Sequence, residues 1–187
     1  SWLEHGEDSG IQWDLEHFRP KANVRHWPLA GSRLATKYAA ISTGASSPGY
    51  HLLAYNYRNY AAACKTCNTP YKSDYFPIGG QRIIAGSDPA AHASEDAFLV
   101  YPLGPDDTDP KDLITFDGVT AVPKNDHTQD LAKWKRGSII IDFFGLNREG
   151  LERNRALWLY HSVWPWIRLP EAGDEEGKEA IRLAQTE

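Results

Sequence analysis

The chain has 187 residues, of which 41% are hydrophobic and 12% aromatic, so it has ample apolar material for a buried core. This composition argues against extended disorder, and no apolar run approaches the ~20 residues of a membrane-spanning helix. No secretory signal opens the sequence, and two cysteines are too few for a disulfide framework, so we expect a cytoplasmic protein. The lack of methionine suggests that the sequence is part of a longer product.

The net charge of −5 conceals a segregation of charge along the chain. No Asp or Glu occurs between Phe18 and Ser73, and the remainder of the chain is strongly acidic. The pattern predicts an electropositive surface that phosphates could approach, although a solvated basic surface without a partner would look the same. The segment carries eight basic residues: Arg19, Lys21, Arg25, Arg33, Lys37, Arg58, Lys65 and Lys72.

In chain order, residues 11–18 alternate between apolar and polar side chains, which predicts a half-buried strand. Residues 29–49 are rich in Ala, Gly and Ser and predict a loop, so we treat about 22–49 as an insertion. Residues 98–102 and 113–116 are predicted short strands. Asp117-Gly118 before VTAV (119–122) predicts a hairpin with a type I′ turn.

Helical periodicity begins at Thr128 and predicts a helix to about Phe144. Asn147 is the predicted N-cap of a second helix through about Leu169, and the tail from Glu171 predicts a last, weakly packed helix. We therefore expect an α+β fold with a helical C-terminal half. The apolar face of the first helix contains Leu131, Trp134, Ile139, Ile140 and Phe143.

Three groups of residues could carry chemistry. They are EHFRPK (16–21), Asn59, and the C-x-x-C-N sequence at 64–68 followed by Lys72. Each is a weak signal alone, because a Glu-His pair is usually an ordinary structural feature. A single C-x-x-C is usually half of a zinc site or a structural pair.

In this order, the groups resemble the HNH nuclease superfamily, and most closely the nuclease subunit of Septu-type and related retron-associated anti-phage defence systems. The resemblance spans roughly residues 12–158. It rests on EHFRPK (16–21), LLAYNYRN (52–59), CKTCN (64–68), Lys72, Phe76-Pro77, LITFDGV (113–119) and GLNREGLERNR (145–155).

The resemblance implies a ββα-metal core within residues 1–80, with residues 81–187 forming a β-hairpin and helical extension packed on it. It makes His17 the general base that deprotonates the attacking water. Glu16 and Asn68 become the two protein ligands of one metal ion. Asn59 braces the connecting loop and orients the histidine without touching the metal.

These residue types suit phosphodiester hydrolysis. An imidazole can accept the proton of a water molecule at neutral pH, and carboxylate and amide oxygens suit Mg²⁺ or Mn²⁺. Arg19, Lys21 and Lys72 lie beside the motif and are candidates for binding backbone phosphates. The resemblance further implies a bacterial, cytoplasmic endonuclease with DNA favoured over RNA as its substrate, and an ATPase as partner subunit.

The chain departs from the family around its cysteines. Family members often carry a second C-x-x-C upstream of the Glu-His pair, whereas this chain has only WLEHG (2–6) there. A structural Zn²⁺ at Cys64 and Cys67 would need two more ligands, for which His5 is a candidate. The stretch from Asn68 to Lys72 is also one residue longer than usual and contains Pro70.

Two alternatives to this endonuclease stay open. One is a catalytically silent, zinc-braced nucleic-acid-binding module or scaffold, in which His26 joins Cys64 and Cys67. The other is a site-specific restriction-type endonuclease, which would need a DNA-reading element such as the 22–49 insertion or the C-terminal helices.

Overall fold

The computed structural model describes residues 13–103 and 107–163. Within these ranges the strands form three two-stranded antiparallel sheets, which pair β1 with β4, β2 with β3, and β5 with β6. The mixture of small sheets and helices confirms the predicted α+β class. The strands are β1 (Trp13–His17), β2 (Asn23–Val24), β3 (Ser47–Pro48), β4 (Tyr60–Cys64), β5 (Ile114–Asp117) and β6 (Thr120–Pro123), and the α-helices are α1 (Arg33–Lys37), α2 (Leu131–Phe143) and α3 (Glu149–Trp158).

Some predictions concern other parts of the chain. His5, the start of the first predicted strand, the helix end at Leu169 and the tail helix from Glu171 all lie outside the described residues. Among the described residues, no helix is both long enough and apolar enough to cross a membrane.

One hydrophobic core joins elements from both sides of residue 80. Burial of these large apolar side chains is the main favourable contribution to folding. The N-terminal strands and the helical half therefore share a single interior. The buried members are Phe18, Val24, Trp27, Tyr38, Tyr50, Leu53, Phe76, Ile78, Phe98, Leu99, Ile139 and Phe143.

The segment predicted to be a loop insertion contributes to this core. It contains β2, α1 and β3, and it buries Val24, Trp27 and Tyr38. The Tyr38 hydroxyl donates a hydrogen bond to the Asp142 carboxylate on α2 at 2.7 Å. The loop prediction was wrong here because the three buried residues are too widely spaced to produce a period of two or 3.6.

Residues 98–102 were predicted to be a strand, but they do not form one. Phe98 and Leu99 are buried as expected, yet their carbonyl groups accept hydrogen bonds from the Arg136 guanidinium, each at 3.1 Å. Arg136 lies on α2 and also donates a hydrogen bond to Asp107, so its side chain joins this segment to α2. A side chain distant in sequence thus satisfies the backbone groups that a neighbouring strand would otherwise bind.

The predicted hairpin is confirmed, with its turn one residue later than expected. Asp117 pairs with Thr120, so the two loop residues are Gly118 and Val119. Gly118 has a φ of +58°, whereas the described residues with positive φ do not include Val119. A positive φ at the first loop position alone is typical of a type II′ turn, not the type I′ turn predicted from Asp-Gly.

Asn147 was predicted to cap the second helix, and this prediction was wrong. Its side-chain amide instead pairs with the backbone of Ala121 on β6, accepting from the N–H at 2.7 Å and donating to the carbonyl at 2.8 Å. The amide acts like a residue of a neighbouring strand at the open edge of β6. Helix α3 begins at Glu149 after Arg148, which makes no side-chain capping bond.

Leu131, predicted to be on the buried face of α2, is half exposed.

Gly137 allows α2 to approach the start of β5. A Cβ at this position would lie 2.4 Å from the Leu113 carbonyl oxygen, while a Cβ at Gly150 of α3 would meet no atom within 4 Å. We expect Gly137→Ala to lower the free energy of unfolding by about 1–3 kcal/mol because the backbone must move. Gly150→Ala, the control, should leave it unchanged or raise it by up to about 1 kcal/mol. Urea denaturation measures both, and equal stability of the two variants would contradict this contact.

Candidate functional site

The end of β1 places two kinds of side chain on opposite faces of a hairpin. In the β1–β4 pair, Glu16 lies opposite Ala61 and His17 lies opposite Tyr60. Because side chains alternate along a strand, Asp14 and Glu16 share one face and His17 occupies the other. The short helix Cys67–Lys72, which follows β4, contacts the acidic face.

The His17 imidazole is held by two contacts. Its Nε2 lies 3.0 Å from the Ala54 carbonyl oxygen, and its ring packs on the Tyr60 ring with centroids 4.7 Å apart. The Tyr60 hydroxyl donates to the same carbonyl at 2.6 Å. A carbonyl oxygen only accepts, so we assign the proton to Nε2, which leaves the lone pair on Nδ1 to accept a proton.

Asn59 is buried behind the loop that follows β1. Its Oδ1 accepts from the Arg19 N–H at 2.8 Å, and its Nδ2 donates to the Arg19 carbonyl at 3.0 Å and to the Leu53 carbonyl at 3.4 Å. Its own carbonyl accepts from the Phe18 N–H at 2.7 Å. These hydrogen bonds hold the loop in place, because they connect the residues after His17 to the segment that contains Ala54.

The structure places Arg19, a predicted phosphate-binding residue, in the interior of the protein. Its side chain is buried, and Nε lies 3.2 Å from Oε2 of the fully buried Glu95. The other carboxylate oxygen accepts from the Tyr50 hydroxyl at 2.8 Å and from the Ile83 N–H at 2.7 Å. The guanidinium also lies over the Phe76 ring, 5.2 Å from its centroid. Local sequence patterns could not reveal Glu95, which is 76 positions from Arg19.

Lys72 was also predicted to bind phosphate, and it too is buried. Its Nζ donates to the His17 carbonyl at 3.2 Å and lies 3.6 Å from Oε1 of Glu16. Burial lowers the pKa of Lys72 to about 8, although the neighbouring Glu16 opposes this shift. Lys72 therefore supports the end of β1 from inside the protein.

A π turn brings Lys72 to this position. The Ser73 N–H donates to the Asn68 carbonyl at 2.6 Å, which is a hydrogen bond spanning five residues instead of the four of an α-helix. The extra residue noted between Asn68 and Lys72 is accommodated in this wider turn, with Pro70 inside it.

Lys21 is the predicted phosphate-binding residue that the structure leaves exposed at the site. It lines an open cavity of about 380 Å³ together with Glu16 and His17. Asp74 also lines this cavity, where it pairs with Arg25. A phosphate group entering the cavity would meet the Lys21 ammonium beside the imidazole.

Most of the predicted electropositive segment is neutralised within the protein. Five of its eight basic side chains pair with carboxylates: Arg19 with Glu95, Arg25 with Asp74, Lys37 with Asp142, Arg58 with Asp88 and Lys72 with Glu16. Lys21, Arg33 and Lys65 are exposed. The basic surface is therefore smaller than the sequence predicts.

The acidic face of β1 offers oxygen donors for a metal ion. Asn68, a predicted ligand, donates from Nδ2 to Oδ2 of Asp14 at 3.2 Å, and Glu16 is on the same strand face as Asp14. Sequence reasoning missed Asp14, although its position two residues before Glu16 could have identified it. In the described part of the chain, no three or more His, Cys, Asp or Glu residues form a cluster that could hold a metal ion.

Cys64 and Cys67 lie close together as free thiols. The Cys67 N–H donates to Cys64 Sγ at 3.3 Å, and burial raises the pKa of the Cys67 thiol to about 11, with the Cys64 hydrogen bond acting in the same direction. The structure does not bring His26 to this pair within the described residues, because its Nδ1 contacts the Gly44 carbonyl at 2.8 Å. The zinc module containing His26 is therefore not supported.

Comparisons of the chain with protein-family models, with curated proteins and with solved structures found no match.

The buried ion pair gives the first prediction for this site. Glu95→Gln would leave the Arg19 guanidinium buried without its counter-charge, so we expect the free energy of unfolding to fall by about 3–5 kcal/mol. The control Asp112→Asn breaks the exposed Lys124–Asp112 pair, 3.3 Å long, and should cost less than about 1 kcal/mol. Chemical denaturation compares the two variants, and equal losses would show that the Glu95 charge is not needed.

The lowered pKa of Lys72 predicts a pH dependence of stability. Between about pH 8 and the ordinary lysine value of 10.5, the folded protein binds fewer protons at this site than the unfolded chain does. The contribution of Lys72 to stability should therefore rise with pH across this window and be lost as pH falls through 8. Denaturation of the parent and of Lys72→Met between pH 7.5 and 10 isolates this contribution. A constant difference between the two proteins would disprove the shift.

Proposed function

We propose that this chain is a metal-dependent HNH-type endonuclease that hydrolyses nucleic-acid phosphodiester bonds, with DNA as the favoured substrate. The observation that carries the proposal is the placement of His17. Its imidazole ends β1 beside an open cavity, and the Ala54 carbonyl binds Nε2, which leaves Nδ1 as the nitrogen that can accept a proton. A binding module has no need of an imidazole held in this way.

The proposed reaction begins when Nδ1 of His17 takes a proton from a water molecule. The water oxygen forms a bond to phosphorus, the bond from phosphorus to the 3′ oxygen breaks, and that oxygen leaves as a hydroxyl after taking a proton from solvent. Tyr60 and the Ala54 carbonyl keep the ring in place during proton transfer. Lys21 binds a phosphate oxygen at the cavity, and Asn59 keeps the loop after His17 in position.

The donor set on the acidic face fits one Mg²⁺ or Mn²⁺ ion. Glu16 and Asn68 would hold it, because carboxylate and amide oxygens are hard ligands. The amide nitrogen of Asn68 donates a hydrogen bond to Asp14, so the amide oxygen is the Asn68 atom left to bind the ion. Glu16 also lines the cavity beside His17, so an ion held there would neutralise charge that builds up on a phosphate in that cavity. The order of β1, β4 and the following helix supports the proposed ββα-metal core.

The biological setting in this proposal rests on the resemblance alone. A role as an effector of bacterial anti-phage defence, an ATPase partner subunit and a structural Zn²⁺ at Cys64 and Cys67 all come from the family. A site-specific restriction-type enzyme is a less favoured alternative, since residues 22–49 pack partly into the core and are less suited to reading DNA.

Cleavage of supercoiled plasmid tests this function. The parent protein should nick or linearise the plasmid with Mg²⁺ or Mn²⁺ and stop when EDTA is added. His17→Ala should reduce the rate by about 10²–10⁴-fold, because the general base is lost. The matched control is His127→Ala, which removes an exposed imidazole that lies edge-on to the Trp134 ring.

The outcomes of this assay distinguish the functions. Equal activity of the parent and His17→Ala would disprove the assignment of the base. Retention of DNA on a gel without cleavage by either protein would favour the silent binding module.

A further inference from the structure

Two tyrosine rings project almost completely into solvent from the segment beside His17. Tyr55 is 97% exposed and Tyr57 is 82% exposed, although tyrosine side chains are usually at least partly buried. Neither ring contributes to the core. Leaving two large aromatic surfaces in water on one short segment is unfavourable unless something covers them.

The segment that carries the rings is firmly held. Asn56, between the two tyrosines, points the other way, and its Nδ2 donates to the Ser87 carbonyl at 2.7 Å while its Oδ1 accepts from the Arg58 N–H at 2.9 Å. The backbone is closed by hydrogen bonds from Asn56 to Leu53 and from Asn59 to Asn56. The two rings are therefore presented by an ordered turn.

The same segment orients the candidate base. Ala54, whose carbonyl binds His17, immediately precedes Tyr55, and Asn59, which braces the loop, follows Tyr57 by two residues. The exposed rings and the imidazole thus belong to one hydrogen-bonded unit. A molecule that covers the rings would therefore lie on the segment that holds the imidazole.

The size of the tyrosine pair favours a nucleic-acid occupant over a protein. Two tyrosines bury at most about 500 Å², whereas a stable protein partner usually buries about 800 Å² of each surface. Unpaired bases need only an aromatic face, and each stacked base contributes about 1–3 kcal/mol. No Asp or Glu occurs from Phe18 to Ser73, so the segment itself has no carboxylate to repel phosphates.

We propose that Tyr55 and Tyr57 form a stacking platform for unpaired bases, so that the His17 site acts on single-stranded or locally opened nucleic acid. This inference rests on the proposed function, because it names the substrate class of the same site. In a duplex, the faces of the bases are already stacked on each other, so the rings have nothing to bind.

Binding without cleavage tests the platform. Fluorescence anisotropy in EDTA compares a labelled 15-nucleotide thymidine strand with a duplex of the same length. The double variant Tyr55→Ala/Tyr57→Ala should bind the single strand at least about tenfold more weakly and the duplex equally well. Tyr55→Phe/Tyr57→Phe keeps the rings and should bind like the parent. Tyr160→Ala, which removes another exposed ring, is the matched control.

Three results would overturn the platform. They are no binding of the single strand by the parent, unchanged binding by the double alanine variant, and an equal loss for duplex and single strand. Unchanged strand binding would leave a protein partner as the occupant of the rings. Because the assay contains no metal and needs no cleavage, these results are separate from failure of the nuclease proposal, which the plasmid assay measures.

Discussion

The carboxylate of Glu95 is fully buried, and three donors from distant parts of the chain converge on it: the Arg19 guanidinium, the Tyr50 hydroxyl and the Ile83 N–H. A buried charge is costly unless it is paired and hydrogen-bonded, so these groups must meet for the interior to form. Arg19 follows His17 by two residues, and Asn59 binds its backbone on both sides. The position of the imidazole therefore depends on an ion pair in the core.

Pairing with carboxylates also explains why the surface of the basic segment carries less positive charge than its composition predicts. The acidic remainder of the chain supplies partners such as Asp142 on α2 and Asp88 in the segment after residue 80. These pairs join parts of the chain that are far apart in sequence. A segment without acids and a remainder rich in them are therefore complementary parts of one fold. Lys21 is the cation that remains at the cavity.

Local patterns predicted much of the fold, because they depend on neighbouring residues. The alternation before His17, the Asp-Gly hairpin signal and the periodicity of α2 all correspond to observed elements. The failures involve partners distant in sequence. Arg136 replaces a strand for residues 98–99, and Asn147 binds the edge of β6 instead of capping α3. Periodicity cannot report such contacts.

The candidate site also combines features that local patterns predicted with contacts between distant residues that they did not. The motif implied that Asn59 braces the connecting loop, and Asn59 lies in the connection between β1 and β4, while His17 ends β1 and Asn68 lies on the helix after β4. It could not distinguish a cation that faces solvent from one that faces the interior. Arg19 and Lys72 are therefore buried, whereas Lys21 is exposed. Burial is decided by the whole fold, and Glu95 and Asp14 appear only once the chain is folded.

The π turn after Cys67 has a consequence for how this part of the chain can vary. Each residue of an α-helix rotates the next side chain by about 100°, so one extra residue in an α-helical turn would direct Lys72 away from β1. The wider turn absorbs that rotation, and Asn68 and Lys72 both reach the same strand. Thr69 and Pro70 between them are exposed. Selection should therefore act on the number of residues between Asn68 and Lys72 more strongly than on the identity of Thr69 and Pro70, and an insertion or deletion there should be tolerated less than a substitution at either of these two positions.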